Sequence, residues 1–337
     1  MKIGIPRALL YPIYIPLWKT FFEELGHQVV LSGRTSKGIL NNGVKTCVDD
    51  ACLPVKLFHG HVMDLIGKAD VILVPRLISI YPGEFICPKF IGLPEMIKNS
   101  VSGSPKLLIM NFNARDRLEK GYDGMRQLGR ELGASNTNVE RALDRARARQ
   151  AEYESMLESG FSPKSILEKR NARQSPASVK GRIGLIGHPY LVYDDYINMN
   201  IVEKLAARGY EAIFPENVPL EDIELACSRY PKKLFWSYGK RLLGGGLTML
   251  EKRKVDGLII LTSFGCGIDA FIDELLLRAN QREYRIPQTT ITLDEHTGQA
   301  GFDTRLEAFI DMMEWRGRYD NNIPAYGTDV YTGKSLV

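Results

Sequence analysis

Long apolar runs, paired cysteines and export features are all missing from this sequence. No stretch of about 18 uninterrupted apolar residues occurs, so we expect no membrane-spanning helix. The apolar start "MKIGIPRALLYPIYIPLW" is broken by Pro6, Pro12 and Pro16 and lacks a small-residue cleavage site, which indicates a strand and a helix entry rather than a signal peptide. With 5 cysteines in 337 residues and no export signal, a disulfide scaffold is excluded, and a reducing, cytoplasmic location is expected.

A strong charge of either sign is also absent. Lysine and arginine number 44 against 40 acidic residues, a formal net charge of +4. This balance predicts no nucleic-acid partner, although acidic phosphate groups would still be attracted. Hydrophobic residues make up 44% of the chain, which is typical of a globular protein, and the length suits two domains.

Strand-like and helix-like patterns alternate in two parts of the chain. The alternation predicts an α/β fold with two Rossmann-like halves, each built on a mostly parallel sheet, joined by a helical segment. We assign residues 1–113 to the first half, 114–180 to the helical segment and linker, 181–318 to the second half and 319–337 to an irregular tail. The stretch "KKLFWSYGKRLLGGGLTMLEKR" is expected to be a helix interrupted at its three glycines.

A basic run, "ERALDRARARQ", lies in the helical segment. It could bind an acidic partner, but mixed charges at helical spacing are more typical of a solvated helix face. We therefore expect a solvent-facing helix here rather than a binding patch.

Three of the five cysteines stand at predicted helix starts. Cys52 lies two residues before Pro54, Cys87 lies directly before Pro88, and Cys266 lies in the turn "SFGCGID" between a strand and a helix. Unpaired N–H groups and the helix dipole favour negative charge there, which predicts thiols with a lowered pKa. Each was also expected near the carboxyl end of a strand, where open α/β sheets bind ligands.

Three such thiols, two from the first half and one from the second, predict a metal site in the cleft between the halves. Three thiolates with one open position suit an iron–sulfur cluster. Zinc is the competing metal, although the C-x2-C pairs typical of structural zinc are absent. Ordinary buried cysteines are the remaining alternative. Cys47 is a candidate fourth ligand, and Cys227 is expected to be structural.

Several residues near these cysteines are candidates for binding the cofactor. Lys56, His59 and His61 follow Cys52 on one predicted helix, where they could hold an anionic group or simply form a capped, solvated face. Arg76, after a predicted strand, could contact a phosphate or pair with Glu84.

The second half supplies further candidates. Ser263, Gly265 and Gly267 surround Cys266 and are expected to contact the cofactor, whereas Asp269 is most simply a partner of the helix dipole. His188 could line the cleft, but a lone histidine is more often structural.

The motif "LDEHTGQAGFDTR" adds three charged candidates. Asp294, Glu295 and Arg305 could handle protons or form a salt-bridge lock, and the lock is the favoured interpretation. The candidate catalytic residues are Glu295 and Arg305 from this motif, together with His59.

A nucleotide-binding turn is the alternative interpretation of "GCGIDA", which fits G-x-G-x-x-A. A ribose-binding acid is expected about 20 residues later. Asp294 comes too late for that role, and a cysteine at the second position fits poorly.

Taken together, the motifs resemble a known superfamily. "ACLPVKLFHGHV", "PRLISIYPGEFICPKF", "RIGLIGHPYLVYD", "SFGCGID" and "LDEHTGQAGFDTRLEAF" are similar to the 2-hydroxyacyl-CoA dehydratase / benzoyl-CoA reductase superfamily, nearest its activase-related branch. The resemblance extends from Lys2 to about Trp315.

The resemblance implies a [4Fe-4S] cluster, or a double-cubane cluster, bound by Cys52, Cys87 and Cys266. It also implies electrons from a separate ATP-hydrolysing activase, an acyl-CoA or other small substrate, and a homodimer or related second subunit. An electron relay or scaffold partner without catalysis is the alternative. ATP hydrolysis by this chain is not expected, because "GTDVYTGKS" at Gly327 does not have P-loop spacing.

Overall fold

The structure is a computed structural model that describes residues 1–103, 105–168 and 178–318. The tail from residue 319, including the P-loop-like stretch at Gly327, and most of the linker lie outside the described residues. No helix within the described part is both long and apolar enough to cross a bilayer.

Two four-stranded sheets, each entirely parallel, form the framework of the chain. Their strand orders are β2-β1-β3-β4 and β6-β5-β7-β8, so the two halves repeat the same Rossmann-like topology. Strands in parallel sheets are covered on both faces, which explains the continuous apolar runs seen in the sequence. The strands are β1 (Lys2–Ile5), β2 (Gln28–Leu31), β3 (Val71–Ser79), β4 (Lys106–Asn113), β5 (Gly181–Ile186), β6 (Tyr210–Ile213), β7 (Gly257–Ser263) and β8 (Gln288–Leu293).

Helices connect and cover these strands. The helices are α1 (Tyr11–Glu24), α2 (Lys37–Thr46), α3 (Leu53–Leu65), α4 (Pro88–Ile91), α5 (Leu93–Ser100), α6 (Leu118–Gly121), α7 (Asp123–Glu131), α8 (Asn136–Glu158), α9 (Pro163–Leu167), α10 (Pro189–Val192), α11 (Ile201–Ala207), α12 (Leu220–Cys227), α13 (Ser237–Glu251), α14 (Gly267–Ala279) and α15 (Gln299–Arg318).

The middle helices pack on the first half. The amide of Gln150 on α8 donates to the carbonyl of Ile13 on α1 at 3.0 Å, and its oxygen accepts from the Leu17 N–H at 3.3 Å. The basic run of α8 forms ordinary surface ion pairs, such as Arg145 with Glu24 at 2.8 Å. The expectation of a solvated, mixed-charge helix face is therefore confirmed.

The glycine-rich helix is not interrupted as the sequence suggested. Helix α13 runs without a break through its three glycines. A Cβ at Gly244 would approach Ile223 to 2.7 Å, and one at Gly246 would approach Leu276 to 2.7 Å. The glycines thus allow neighbouring helices to pack closely, and this burial outweighs the low helix propensity of glycine.

The two halves are joined by a shared core and by polar contacts. Leu40, Leu53 and Leu57 of the first half pack in the same apolar cluster as the second sheet. Backbone bonds also join residues 85 and 235–237, including the Phe85 N–H donating to the Phe235 carbonyl at 2.6 Å. The site described next lies where these connections meet.

Candidate functional site

Each of the three predicted ligand cysteines stands immediately before a helix. Cys52 precedes α3, Cys87 precedes α4, and Cys266 precedes α14, as the sequence predicted. Cys266 follows β7, and Cys87 follows β3 by a short loop. Cys52 differs from the expectation, because it lies between α2 and α3 and does not follow a strand.

These thiols lie around one partly buried tyrosine, Tyr190, that the sequence analysis did not single out. The pKa of Tyr190 lies well above its ordinary value, first because of burial and then because of negative charge at Asp269, Cys266, Cys52 and Cys87. The charge of Cys87 contributes to the raised pKa of Cys52, and the charge of Cys52 contributes to the raised pKa of Cys266. Cysteines from both halves therefore lie within electrostatic reach of one another.

The expected low thiol pKa is wrong for two of the three cysteines. Burial raises the pKa of Cys52, and it raises that of Cys266 to about 12 together with the nearby carboxylate of Asp269. Loss of water around a thiolate outweighs the partial charge of a helix terminus. A bound metal would reverse this balance, because metals deprotonate the thiols that ligate them.

Open space adjoins the two glycines that flank Cys266, Gly265 and Gly267. Gly265 has φ +74°, a backbone conformation that favours glycine, and a Cβ at either Gly265 or Gly267 would meet no atom within 4 Å. The turn therefore leaves room for a group larger than a single side chain beside the thiol.

An exposed group of aromatic side chains, which we call the aromatic rim, surrounds this turn. Phe264 is 70% exposed, and Phe271 and Phe235 are 45% and 48% exposed. Trp236 joins them through an edge-to-face contact with Phe271 at 6.2 Å. Exposed apolar surface of this kind is typical of interaction sites.

A buried carboxylate–histidine pair supports Tyr190. Asp269 accepts a hydrogen bond from His188 Nδ1 at 2.6 Å and one from the Ser263 N–H at 2.8 Å. The His188 ring stacks on Tyr190 at 4.9 Å with an interplanar angle of 8°. Asp269 thus does more than face a helix dipole, because it also fixes His188 behind the cysteines. The Ser263 hydroxyl is buried without a hydrogen-bond partner.

The lysine and histidines of α3 do not form one anion-binding face. Lys56 is buried and pairs with Glu295 at 2.5 Å, which joins the halves. His59 is buried, and its Nδ1 bonds to the carbonyl of Val55 at 2.9 Å. His61 is also buried, and its Nδ1 and Nε2 share hydrogen bonds with the hydroxyls of Ser32 at 2.8 Å and Thr35 at 3.0 Å. Burial lowers the pKa of both histidines, that of His61 to about 4.

The remaining charged candidates have specific partners. Arg76 pairs with Glu95 rather than with Glu84. Glu84, three residues before Cys87, instead pairs with Lys240 of the second half, and both side chains are buried. The alternative in which Arg76 pairs with Glu84 is wrong, because only the tertiary fold brings Lys240 to Glu84.

The "LDEH" turn serves mainly as a lock. Glu295 pairs with Lys56, and this bond lowers the pKa of Glu295 although burial opposes it. Asp294 accepts the Thr297 hydroxyl at 2.8 Å. Arg305 is exposed on α15. The favoured salt-bridge interpretation is confirmed for Glu295, with Lys56 as its partner.

The two other cysteines have different surroundings. All five cysteines of the chain are free thiols. Cys47 is buried at the end of α2, where burial raises its pKa and the charges of Lys56 and Cys52 also act on it. Cys227 ends α12, and its thiol points to the carbonyl of Lys240 at 3.6 Å. Cys47 therefore adjoins the three-cysteine group, whereas Cys227 has the structural setting expected of it.

The thiols of the two halves are the groups here that could hold a cofactor. They are three thiols from two halves and a fourth buried thiol next to them, with open space at the glycine turn. Within the described ranges, no group of three or more histidine, cysteine, aspartate and glutamate side chains is arranged to hold a metal ion. Thiolates are the ligands that iron–sulfur clusters use.

The comparisons with known proteins place the chain in a family. Residues 2–218 match the sequence model of a family described as the CoA enzyme activase uncharacterised domain (DUF2229). This match includes Cys52 and Cys87, and Cys266 lies beyond it. The search of curated proteins finds no significant match. Because the match covers well over half of the chain, the chain belongs to the family of the CoA enzyme activase uncharacterised domain.

Proposed function

We propose that this chain is an iron–sulfur redox protein that takes low-potential electrons from a separate ATP-hydrolysing activase. The electrons pass to an acyl-CoA thioester or another small substrate. The observation that carries the proposal is the convergence of Cys52, Cys87 and Cys266, from both halves, on Tyr190. The family description, which names a CoA enzyme activase, supports the same system.

In this proposal Cys52, Cys87 and Cys266 hold the cluster, and a [4Fe-4S] cluster leaves one position without a cysteine ligand. The cluster, when bound, supplies one-electron transfer. The chain itself excludes water with Tyr190 on one side and leaves the side of Gly265 open. The positive charge of Lys89 acts on Cys52 and favours a negatively charged group there.

The aromatic rim gives the activase a surface to approach. It lies next to Cys266 and is exposed, whereas most large apolar side chains of the chain are buried. Electron transfer needs a short path, so a donor that covers Phe264 would be well placed. A reducing compartment, the cytoplasm, is part of the proposal, because all five thiols are free.

A non-catalytic electron relay or scaffold partner of the activase is the second candidate, since it would need the same thiols. The nucleotide-binding turn is less favoured. In that motif the third small residue packs closely between helix and strand. Here Ala270 is exposed, and Asp294 bonds within its own turn.

Metal analysis of the chain purified without oxygen tests the proposal. Iron, acid-labile sulfide and zinc per chain are measured for the unaltered protein and for Cys52→Ala, Cys87→Ala and Cys266→Ala. Cys227→Ala is the matched control, because its thiol is also partly buried but lies on α12. We expect iron and sulfide in near-equal amounts, lost in the three variants and kept in the control.

Other outcomes have distinct meanings. Zinc at about one per chain would replace the redox proposal with a structural metal site. No metal, or loss of iron in Cys227→Ala alone, would refute the assigned ligands. If the cluster is present, conversion of a 2-hydroxyacyl-CoA to the 2-enoyl-CoA and water by the reduced protein separates an enzyme from a relay, because only an enzyme turns over that substrate.

A further inference from the structure

A large cavity also borders Tyr190, and none of the five cysteines lines it. Its volume is about 680 Å³, within the range of small-molecule sites. It lies beyond the carboxyl ends of β1, β2 and β5, where α/β sheets commonly bind ligands. Helices α1, α3, α8 and α9 also contribute walls.

One cation in this cavity stands out because it lacks a partner. The Nε of Arg7 is buried without a hydrogen bond, and among the described residues its guanidinium pairs with no carboxylate. The other cations of the lining all have acidic partners. These pairs are Lys19–Glu23, Arg34–Glu168, Arg149–Glu152 and Lys164–Asp195.

Arg7 has two further donors close by. Its guanidinium carbon lies 6.0 Å from the centre of the Tyr11 ring. The charges of Arg7 and Arg34 both act on the Tyr11 hydroxyl, lowering a pKa that burial raises. Two guanidinium groups and a phenol thus form one donor-rich end, and guanidinium groups match phosphate oxygens particularly well.

The lining of the cavity also carries carboxylates. Asp195 pairs there with Lys164 at 2.6 Å. Asp194 accepts the Thr35 hydroxyl, and burial raises its pKa to about 6. Both carboxylates therefore have partners of their own, and Arg7 remains the cation of the lining to which a negatively charged group would bind.

The other walls of the cavity suit a planar or apolar body. Leu9, Ile15 and Leu57 supply apolar surface, and Tyr193 and Tyr196 supply aromatic rings. Leu9 holds φ at +54°, a left-handed conformation that is costly for a leucine and that is typically retained at functional sites.

We infer that this cavity binds a phosphate ester with a planar or apolar body, its phosphate contacting Arg7. The cavity shares Tyr190 with the cysteine site. A ligand there would border the same tyrosine as the cysteine site, which makes it a candidate substrate of that site. Only that last role rests on the proposed function; binding itself does not.

Calorimetry on metal-free protein tests binding without reference to the cluster. AMP is the probe, because it joins a phosphate to a planar ring, and adenosine is the matched probe without the phosphate. We expect AMP to bind at least about tenfold more tightly than adenosine, since a hydrogen-bonded charge pair contributes that much. Equal binding of the two, or no binding of AMP, would overturn the inference.

Variants of Arg7 make the test specific. Arg7→Gln should weaken the binding of AMP by at least about tenfold and leave the binding of adenosine unchanged. Arg7→Lys should recover part of the lost affinity. The control is Arg282→Gln, an exposed arginine after α14. Unaltered AMP binding in Arg7→Gln would refute the role of Arg7.

Thermal unfolding separates a ligand-binding arginine from a structural one. Because Arg7 has no side-chain hydrogen bond or carboxylate to lose among the described residues, Arg7→Gln should keep or raise the unfolding midpoint of the ligand-free protein. A fall in the midpoint larger than that of Arg282→Gln would mean that Arg7 is structural. Iron content should be the same in all these variants, so this inference and the cluster proposal can fail separately.

Discussion

The buried ion pair between the halves should be a major determinant of stability. Lys240 and Glu84 have side-chain exposures of only 5% and 2%, and they lie 156 residues apart in the chain. Lys240→Met removes one partner and leaves the carboxylate of Glu84 buried. Breaking such a pair costs about 3–5 kcal/mol, because the remaining charge has lost both water and its counterion.

The expected shift in the unfolding midpoint follows from the length of the chain. An unfolding entropy of about 2.1 cal/mol/K per residue, over 337 residues, amounts to about 0.7 kcal/mol/K. A loss of about 3–5 kcal/mol then lowers the midpoint by about 4–7 °C. Differential scanning calorimetry measures this shift directly.

Two further variants show whether the cause is the unpaired charge. Glu84→Gln in the Lys240→Met background removes that charge and should recover more than half of the loss. Lys252→Met is the matched control, because Lys252 pairs with Asp222 at 2.6 Å but is 46% exposed. An exposed pair contributes only about 0–1 kcal/mol. The reasoning fails if Lys240→Met costs no more than this control, or if the double variant shows no recovery.

The same variant should loosen the loop that carries Cys87. Glu84 lies three residues before that cysteine, and the adjoining Phe85 is bonded to the Phe235 carbonyl. We therefore expect faster alkylation of Cys87 by iodoacetamide in Lys240→Met, measured by mass spectrometry. Cys47, which is buried at the end of α2 and is not on the loop of Glu84 and Phe85, is the internal reference. Equal acceleration at both thiols would indicate general unfolding instead.

Three other predictions concern the first half and its contacts. Gly43→Ala places a Cβ 1.9 Å from the carbonyl oxygen of Lys56, so α2 and α3 must separate. Iron binding through the adjoining thiols should then fall. Gly38→Ala, which makes no such contact, is the control. His61 has a pKa of about 4, below its ordinary value, so the unfolded chain binds the proton first. Its stabilising contribution is present above about pH 6.5 and is lost as the pH falls toward 4, and His61→Asn should flatten this part of the midpoint–pH curve. Glu295→Gln leaves buried Lys56 without its counterion and should lower the midpoint by several degrees, more than the exposed Lys19→Met does. A shift no larger than that of Lys19→Met would show that the lock contributes little.

Some features of the site were predictable from local sequence, and others had no local signal. Cys52, Cys87 and Cys266 were recognisable because a proline or a glycine turn marks each helix start. The thiol pKa was mispredicted, since burial depends on what the rest of the chain places around a side chain. Arg7 offered one signal that was overlooked, namely a cation two residues after the end of the first strand.

The sequence by itself determined the order of strands and helices, the parallel sheets and the three helix starts that carry the cysteines. These depend on periodicity and on turn residues, which act over a few neighbours. Only the tertiary structure decided that Lys56 meets Glu295, that Lys240 meets Glu84 and that α13 continues through its glycines. Partners 239 and 156 residues apart leave no local pattern, because their contact exists only once both halves have folded together.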